Sequence, residues 1–357
     1  MQKENHILVL PQCESAGKTY VIGDVHGELG AFQAVLDKLT PNDRLVILGD
    51  LIDRGESDPK HPTSANILDT FIAHQNAPQD SKPRLYALQG NHERNFLAVL
   101  DIFDRIKNGQ TVLPEWFLNV AKFVKNGGAW IFKHQSEDVA QDLRLAWFRS
   151  FATGDRSAEC EYNLKGLLKQ IVLSKDPFVH LIPDILAYRQ LIESLPFMIE
   201  LEGEQSTLCV HSDLNIEDAE IDRRVLHKEG FTDQEIIYMT DVRVKDFNSN
   251  DARSASSRLV LVGHNIINDE HDPDTQNAAL PVRADTNHIN LDCGAYFTKS
   301  FLVLNMTDNL VDIVSKDMPE EHRTLLEYAK TTIQTHLNDI ELQQQDEPMS
   351  KRPRFSN

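Results

Sequence analysis

Six short apolar segments of this chain end abruptly at glycine and polar residues, and this recurring pattern restricts the folds open to it. The segments are TYVIGDVHG (19–27), LVILGDLIDRG (45–55), LYALQGNHE (85–93), TLCVHSD (207–213), LVLVGHN (259–265) and INLDCG (289–294). Continuous apolar runs of this length, bounded by glycine, are typical of strands buried on both faces. We therefore expect a set of buried strands whose ends carry polar side chains.

Helical patterns separate the first three of these segments. They are LGAFQAVLDKL (29–39), SANILDTFIAH (64–74) and NFLAVLDIF (95–103). Alternation of strands and helices in the first part, followed by a strand-rich second part, predicts an α/β sandwich. Sites in such sheets form at the carboxyl ends of the strands. The polar strand ends are therefore expected to converge on one edge.

The charge balance argues against several classes of partner. The chain has 36 Lys and Arg against 55 Asp and Glu, a formal net charge of −19. Binding to the phosphate backbone of DNA or RNA requires a basic face, and so does a polybasic membrane anchor. We therefore expect neither nucleic acid nor a charged lipid surface as the main partner.

Other sequence features concern the cellular location. The four cysteines are scattered and form no CxxC pair, which suits a reducing cytoplasm better than a disulfide framework. No segment approaches the roughly 18 apolar residues of a membrane span, and the N-terminus lacks a secretory signal. These features predict an intracellular protein without a membrane span, and they leave open export by a non-classical route. They do not indicate an oligomeric state.

Nine polar residues at the strand ends are candidates for a functional site: Asp24, His26, Asp50, Asp53, Arg54, Asn91, His92, His211 and His264. Two carboxylates, one amide oxygen and three imidazoles from this group make a mixed oxygen and nitrogen ligand set. Such a set favours Mn, Fe or Zn over Mg or Ca, and it lacks the thiolates of a structural zinc site. A carboxylate shared between two cations holds them roughly 3.5–4 Å apart, as in two-metal hydrolases.

Three motifs resemble the signatures of the phosphoprotein phosphatase family of metallophosphoesterases: GDVHG (23–27), GDLIDRG (49–55) and GNHE (90–93). VHSD (210–213) and VGHN (262–265) are similar to the last two histidine motifs of that family. Bacteriophage-lambda-type and bacterial Ser/Thr phosphatases are the most similar branch, through FVKNGGAWIF (123–132), SLPFMIEL (194–201) and HINLDCGA (288–295). The resemblance implies a metallophosphoesterase-type β-sandwich flanked by helices, with a helical insertion and a C-terminal helix.

The resemblance also implies a dinuclear metal centre. Asp24 and His26 would bind the first divalent cation, and Asp50 would bridge the two cations. The second cation would be completed by Asn91, His211 and His264. Mn²⁺ is the favoured identity, with Fe and Zn as alternatives.

Further roles follow from the same resemblance. His92 corresponds to the general acid of the family, and Asp53 to the residue that holds its imidazole. Arg54 and Asn91 would bind phosphate together with a second arginine, for which Arg243 is the candidate. Arg223 and Arg224 are the fallback choices for that second arginine.

The activity that this resemblance implies is hydrolysis of phosphoserine and phosphothreonine monoesters in phosphoprotein substrates, by direct attack of a hydroxide that bridges two metals. Three alternatives stay open: a symmetrical diadenosine polyphosphate hydrolase, a phosphatase with phosphotyrosine or dual specificity, and a catalytically silent phosphoprotein-binding scaffold. Glu93 in GNHE and the Asn-Gly-Gly segment favour the protein phosphatase.

The expected domain organisation has three parts. A catalytic domain covers residues 1–317 and contains the helical insertion at about 104–195. A C-terminal helix is predicted at 318–342. The remaining residues, 343–357, are polar and contain prolines, so we expect a disordered tail.

Overall fold

The computed structural model describes most of the 357-residue chain. The described residues are 6–13, 17–55, 63–78, 81–110, 119–120, 122–124, 126–132, 177–203, 206–214, 216–241, 258–267, 281–283 and 287–346. Arg243, most of the predicted helical insertion and residues 347–357 of the predicted tail lie outside these ranges.

Eleven strands occur in the described residues and form two sheets. They are β1 (Ile7–Leu10), β2 (Thr19–Ile22), β3 (Arg44–Ile47), β4 (Arg84–Ala87), β5 (Met198–Leu201), β6 (Thr207–Val210), β7 (Leu259–Val262), β8 (Val282–Arg283), β9 (His288–Asn290), β10 (Ser300–Asn305) and β11 (Leu310–Ser315). One sheet has the order β1-β5-β6-β7-β9-β8 and the other has the order β11-β10-β2-β3-β4. Each of the six apolar segments in the sequence contributes a strand, as predicted.

Eight α-helices are described. They are α1 (Leu29–Leu36), α2 (Thr63–Gln75), α3 (Asn91–Lys107), α4 (Ile185–Ser194), α5 (Asp218–His227), α6 (Asp233–Asp241), α7 (Ala295–Thr298) and α8 (Glu320–Asp346). Two short 3₁₀ helices cover Gly128–Ile131 and Pro177–His180. The first three helices coincide with the three predicted helical patterns.

The hydrophobic core is layered, because successive strand residues point to opposite faces of a sheet. In β3, Leu45 and Ile47 face a cluster with Phe32, Phe71 and other residues of the first helices. Val46, between them, faces the second sheet in a cluster with Leu261 and others. A third cluster packs α5 and α6 on the far face of the six-stranded sheet. Two packed sheets between helical layers confirm the predicted α/β sandwich.

The parallel order of three strands sets the position of the polar strand ends. β2, β3 and β4 are neighbours in one sheet and run parallel, with Ile22 opposite Ile47 and Ile47 opposite Ala87. β6 and β7 are parallel neighbours in the other sheet, with Cys209 opposite Leu261. The loops that follow these five strands therefore leave the sandwich at shared edges, as expected from the sequence.

The terminal helix is longer than the sequence analysis expected. It covers Glu320–Asp346, so residues 343–346, which were predicted to begin the disordered tail, are helical. The segment ELQQQD consists mainly of residues with good helix propensity, which outweighed its polar composition. The boundary at 343 was therefore wrong by four residues.

The described helices show no membrane span. None of them combines the length and the apolar character that crossing a bilayer requires.

Candidate metal centre

Two loops after neighbouring parallel strands are joined directly by backbone hydrogen bonds. The N–H groups of Val25 and His26, after β2, donate to the carbonyl oxygen of Asp50, after β3, at 3.1 and 2.7 Å. The Gly27 N–H donates to the Leu51 carbonyl at 3.0 Å. Two of the sequence motifs are thus fixed against each other by their main chains.

Several site residues have backbone conformations that L-amino acids rarely adopt. The φ angles are positive at His26 (47°), Asp50 (46°), Asp53 (70°), Arg54 (59°) and His264 (64°). Each such residue costs on the order of 1–3 kcal/mol and persists only where its surroundings enforce it. The concentration of these residues in the candidate site is typical of functional loops.

Asp24, His26 and Asp50 form a first group of potential ligands. The Nε2 atom of His26 lies 3.6 Å from Asp24 Oδ2 and 3.5 Å from Asp50 Oδ2. All three residues are buried, at 2% exposure or less. Their ligand atoms therefore surround one position between them.

A second group surrounds the other oxygen of Asp50. The Nε2 atom of His211 lies 3.5 Å from Asp50 Oδ1 and 3.2 Å from Asn91 Oδ1. The Nδ1 atom of His264 lies 3.1 Å from the same amide oxygen. Asp50 thus presents one carboxylate oxygen to each group, which is the arrangement expected of a bridging ligand.

Backbone carbonyls orient two of the imidazoles. His26 Nδ1 is 3.2 Å from the Ile52 carbonyl oxygen, and His211 Nδ1 is 2.8 Å from that of Leu48. A ring nitrogen facing a carbonyl must carry the proton, so each Nε2 directs a lone pair towards Asp50. Burial lowers the pKa of both His26 and His211, which favours the neutral, ligating form.

The two central carboxylates differ in their protonation. Burial, and then the charges of Asp292 and Asp50, raise the pKa of Asp24. Burial would also raise the pKa of Asp50, but His211, His92 and the other imidazoles outweigh it and lower that pKa. Asp50 is therefore ionised, and the proximity of a second carboxylate creates a demand for positive charge.

His92 lies between two carboxylates at the edge of the first group. Its Nδ1 is 2.8 Å from Asp53 Oδ2, and its Nε2 is 3.8 Å from Asp50 Oδ2. Burial lowers the pKa of His92, but Asp50 and Asp53 outweigh it, so the net pKa is raised. A raised pKa favours the imidazolium, which can donate a proton but cannot bind a metal.

Trp130 donates a hydrogen bond to Asp53, a contact that was not predicted from the sequence. Its indole Nε1 donates to Asp53 Oδ1 at 2.8 Å, and its ring stacks on Phe96 at 5.8 Å. Its position two residues after the Gly-Gly pair in FVKNGGAWIF was the available signal.

Glu93 has a structural position that its motif alone did not show. Its carboxylate accepts the N–H groups of Asp50 and Leu51 at 2.9 Å and that of Gly90 at 3.0 Å. It is fully buried behind the site. Glu93 therefore fixes the backbone that carries Asp50 and does not face a substrate.

Asp292 is a further carboxylate near the site that was not among the predicted residues. Burial raises the pKa of Asp292 to about 6. Its Oδ1 accepts the Gly294 N–H at 2.9 Å, whereas its buried Oδ2 has no hydrogen-bond partner in the described chain. Asp292 follows β9 in the same way as the other site residues follow their strands. It could therefore have been predicted from its place at a strand end.

Arg54 is the exposed cation of the site. Its Cζ atom lies 5.1 Å from the centre of the Tyr296 ring, and that ring contacts His26 edge-on at 5.7 Å. Tyr296 therefore bridges the arginine and the first ligand group. Nothing in the sequence distinguished this tyrosine.

The fallback arginines are engaged elsewhere. Arg223 binds the carboxylates of Glu220 and Glu229 at 2.8 and 2.7 Å. Arg224 binds Glu220 at 2.7 Å and Glu235 at 2.9 Å. Both guanidinium groups therefore already have carboxylate partners in the structure, and their fallback role in binding phosphate stays a prediction.

Glycine is required where the backbone passes closest to the central carboxylates. A Cβ atom on Gly90 would lie 2.2 Å from Asp50 Oδ1, and one on Gly263 would lie 2.3 Å from Asp24 Oδ1. Any larger residue at either position would displace a carboxylate. This contact explains the glycines that precede Asn91 and His264.

The chemistry of the donor atoms fits divalent cations. Two ligand triads, His26–Asp50–His92 and Asp50–His211–His264, each have their potential ligand atoms within 4.8 Å of one another. Asp24 Oδ2 is buried and makes no hydrogen bond with any described residue. A buried, unpaired carboxylate oxygen is costly, and a cation would satisfy it. Asp24 fits the first triad better than His92, which Asp53 holds as an imidazolium.

Comparison with known proteins places these observations in context. The family model for calcineurin-like phosphoesterases matches residues 17–291. The symmetrical bis(5'-nucleosyl)-tetraphosphatase of Haemophilus ducreyi is 32% identical over 92 residues, which cover 25% of this chain and 29% of that enzyme. The match thus spans less than a third of the curated relative's length.

Two solved structures are similar over most of their length. One is a protein serine/threonine phosphatase from Saccharomyces cerevisiae, with similarity to human phosphatase PP5. The alignment with it covers 88% of this chain and 86% of the phosphatase chain. Its sequence identity is 12% and its TM-score is 0.41. A candidate diadenosine tetraphosphatase covers 87% of this chain and 97% of its own, at 14% identity and a TM-score of 0.43.

Proposed function

This chain belongs to the calcineurin-like phosphoesterase family, and we propose that it is a metal-dependent protein phosphatase acting on phosphoserine and phosphothreonine. Family membership supports hydrolysis of phosphoric esters. The narrower assignment depends on the environment of His92.

The contact between His92 and Asp53 is the observation that carries the proposal: His92 Nδ1 lies 2.8 Å from Asp53 Oδ2, and both side chains are buried. Burial lowers the pKa of His92, but Asp50 and Asp53 more than compensate, which favours the imidazolium that can donate a proton. Serine and threonine leave a phosphate ester as strongly basic alkoxides, which depart only if they are protonated. A buried imidazolium beside the ligand groups suits such a leaving group.

Other residues of the chain would bind the cations and the phosphate group. Two divalent cations, when bound, would polarise the phosphate oxygens and lower the pKa of the attacking water. Asp24, His26, Asp50, Asn91, His211 and His264 would hold the cations, with Mn²⁺ favoured. Arg54 can clamp two phosphate oxygens through its planar guanidinium, and Asn91 can help to orient the phosphate. Arg243 stays a candidate for the second phosphate-binding arginine.

Arg54 is placed where a phosphate group would first meet the site. Its guanidinium is exposed, whereas His92 and Asp50 are buried. A phosphate group that enters from solvent would meet Arg54 first and reach the buried groups afterwards.

A symmetrical diadenosine tetraphosphate hydrolase is the second candidate. The 92-residue similarity to the Haemophilus ducreyi enzyme favours it. Hydrolysis of a phosphoanhydride releases a phosphate group whose last pKa is near 6, so its departure needs no general acid. The well-developed proton donor at His92 therefore fits this candidate less well.

Parallel assays on three substrates test the proposal. The Mn²⁺-loaded protein is given a phosphothreonine peptide, a phosphotyrosine peptide and diadenosine tetraphosphate, and kcat/KM is measured for each. We expect the phosphothreonine peptide to be preferred by at least about tenfold. A higher value for diadenosine tetraphosphate would overturn the protein phosphatase and support the second candidate.

Trp130→Phe is expected to lower activity on phosphopeptides and to change its pH dependence. Burial raises the pKa of Asp53, and the hydrogen bond from Trp130 partly offsets that effect; the substitution keeps the stacking on Phe96 but removes this hydrogen bond. Asp53 then protonates more readily and supports the charged form of His92 less. The pKa of His92 therefore falls. When the pH is raised, the variant loses activity at a lower pH than the wild type does. The pH profile of kcat measures this shift of the alkaline limb, and an unchanged profile would contradict the assigned contact.

Tyr296→Leu is expected to raise KM for phosphopeptides about two- to fivefold with little change in kcat. The aromatic face holds the Arg54 guanidinium through a cation–π contact worth about 0.5–1 kcal/mol at an exposed site. Tyr296→Phe keeps that face and is the matched control. A loss of kcat that also occurs in Tyr296→Phe would show that the hydroxyl, and not the ring, matters.

A further inference from the structure

Asp292 is a buried carboxylate beside the first ligand group, and it has no role in the proposed function. It lies between β9 and α7 and is only 1% exposed. Its Oδ1 accepts the Gly294 N–H at 2.9 Å, but its buried Oδ2 makes no hydrogen bond with any described residue. A buried carboxylate oxygen without a partner is costly, because it has lost water and gained no donor. This oxygen therefore requires an explanation.

Main-chain hydrogen bonds hold Asp292 against a loop that carries a ligand. The Leu291 N–H donates to the Val262 carbonyl at 2.9 Å, and the Asp292 carbonyl accepts the Ile267 N–H at 2.8 Å. The ligand His264 lies between Val262 and Ile267 in the chain. The position of Asp292 is thus fixed relative to the metal centre by the backbone and not by its own side chain.

Asp292 also lies close to Asp24. A Cβ atom on Gly23, which directly precedes Asp24, would lie 2.4 Å from the Leu291 carbonyl oxygen and 2.8 Å from the Asp292 backbone nitrogen. After burial, the charge of Asp292 is the largest influence that raises the pKa of Asp24, ahead of the charge of Asp50. The two carboxylates of Asp24 and Asp292 are therefore near neighbours.

Both of these carboxylates have one oxygen that the described chain leaves without a hydrogen bond. Asp24 Oδ2 and Asp292 Oδ2 are each buried and make no hydrogen bond with a described residue. Asp24 Oδ2 lies 3.6 Å from His26 Nε2 and thus belongs to the first ligand group. Two neighbouring carboxylates repel each other when both are charged, and a divalent cation would remove the repulsion and satisfy both oxygens.

We propose that Asp292 is a third carboxylate of the first cation position, where its free Oδ2 helps Asp24 and Asp50 to hold the cation. A role in bracing the loop would need only Oδ1, which accepts the Gly294 N–H, and would leave Oδ2 unexplained. The inference rests on the metal centre of the proposed function and is independent of the substrate. It concerns the first position only, because Asp24 belongs to the first ligand group.

Calorimetric titration of the full-length, metal-free protein with Mn²⁺ tests the proposal. We expect two binding steps in the wild type. Asp292→Asn keeps an oxygen for the Gly294 N–H and replaces Oδ2 by an amide NH₂, which offers no lone pair to a cation. It should weaken one step about 10- to 100-fold, the usual effect of losing a residue that supports a metal site, and leave the other step unchanged. If this variant does not fold, Asp292→Ser, whose hydroxyl can also accept the Gly294 N–H, takes its place.

Asp43→Asn is the matched control for this titration. Asp43 is also a buried carboxylate, at 4% exposure, but it directly precedes β3, at the end opposite to the ligand Asp50. Its two oxygens accept the N–H groups of Lys18 and Thr40, each at 2.7 Å. Both Mn²⁺ binding steps of Asp43→Asn should match those of the wild type.

Thermal unfolding separates this role from a structural one. Without metal, Asp292→Asn should have a higher Tm than the wild type, because the repulsion between Asp292 and Asp24 is removed. Added Mn²⁺ should then raise the Tm of the variant by less than it raises that of the wild type. A residue that only braces its loop would give the opposite result: a lower metal-free Tm and an unchanged gain from Mn²⁺.

Two outcomes would overturn the proposal in different ways. If the wild type and Asp292→Asn bind Mn²⁺ equally in both steps, or gain equally in Tm from Mn²⁺, the role of Asp292 fails and the metal centre stands. If the wild type itself binds no Mn²⁺, the metal centre of the proposed function fails together with the role of Asp292.

Discussion

Asp50→Asn is expected to lower turnover of p-nitrophenyl phosphate about a thousandfold. Asp50 presents one carboxylate oxygen to each ligand group, so its replacement affects both cation positions. The His92 N–H donates to Asp50 Oδ1 at 3.0 Å, and an asparagine oxygen would keep this bond. The amide NH₂ would then face His26, where it offers no lone pair to a cation. Metal catalysis supplies several kcal/mol of stabilisation, and about 4 kcal/mol corresponds to a thousandfold in rate.

Binding of Mn²⁺ provides a readout that does not depend on turnover. We expect Asp50→Asn to bind Mn²⁺ with lower affinity and lower stoichiometry in calorimetry, while its circular dichroism spectrum stays unchanged. Asp37→Asn makes the same chemical change at an exposed position of the surface and should behave like the wild type. Activity within tenfold of the wild type, with unchanged Mn²⁺ binding, would refute the bridging role of Asp50.

His92→Asn is expected to lower kcat for a phosphothreonine peptide about 10²–10⁴-fold, the usual contribution of a general acid. The loss should be much smaller with p-nitrophenyl phosphate, because p-nitrophenolate is a stable anion that leaves without a proton. The asparagine keeps the backbone N–H of residue 92, which donates to Asp50. It removes the imidazole ring and the proton that this ring holds between Asp53 and Asp50. The ratio of the two kcat values therefore measures proton donation separately from metal binding.

The half-buried His74 offers a matched control for this prediction. It lies at the end of α2, where its Nδ1 contacts the Pro83 carbonyl at 2.9 Å, and it is far in sequence from every ligand. His74→Asn should leave both kcat values unchanged. An equal loss on both substrates in His92→Asn would contradict a general acid and would point to a disturbed metal centre.

Much of the architecture followed from local sequence patterns. A run such as LVIL is apolar on both faces because β3 lies between helices and a second sheet, and the sequence records that burial directly. The first three helices were recognisable because the spacing of their apolar residues likewise records which residues are buried. The end of the terminal helix was placed too early, because the glutamines in ELQQQD are compatible both with a helix and with a solvated tail.

Candidate ligands were also recognisable, because each follows an apolar strand and all but His211 lie beside or near a glycine. The supporting residues were less visible. Glu93 acts through its carboxylate on the backbone of residues 50–52, and Trp130 acts through an indole N–H on Asp53. Such contacts join segments that are far apart in the chain and leave no local pattern. Tyr296 is the extreme case, since its role depends only on where Arg54 and His26 lie.

The sequence alone determined which residue types occupy the strand ends, because burial of the strands and the tight turns after them impose local requirements on each segment. Only the tertiary structure decided that Asp50 directs its two oxygens to different imidazole groups. Distances between side chains on separate strands depend on sheet order and register. These are properties of the whole packed chain and not of any single segment.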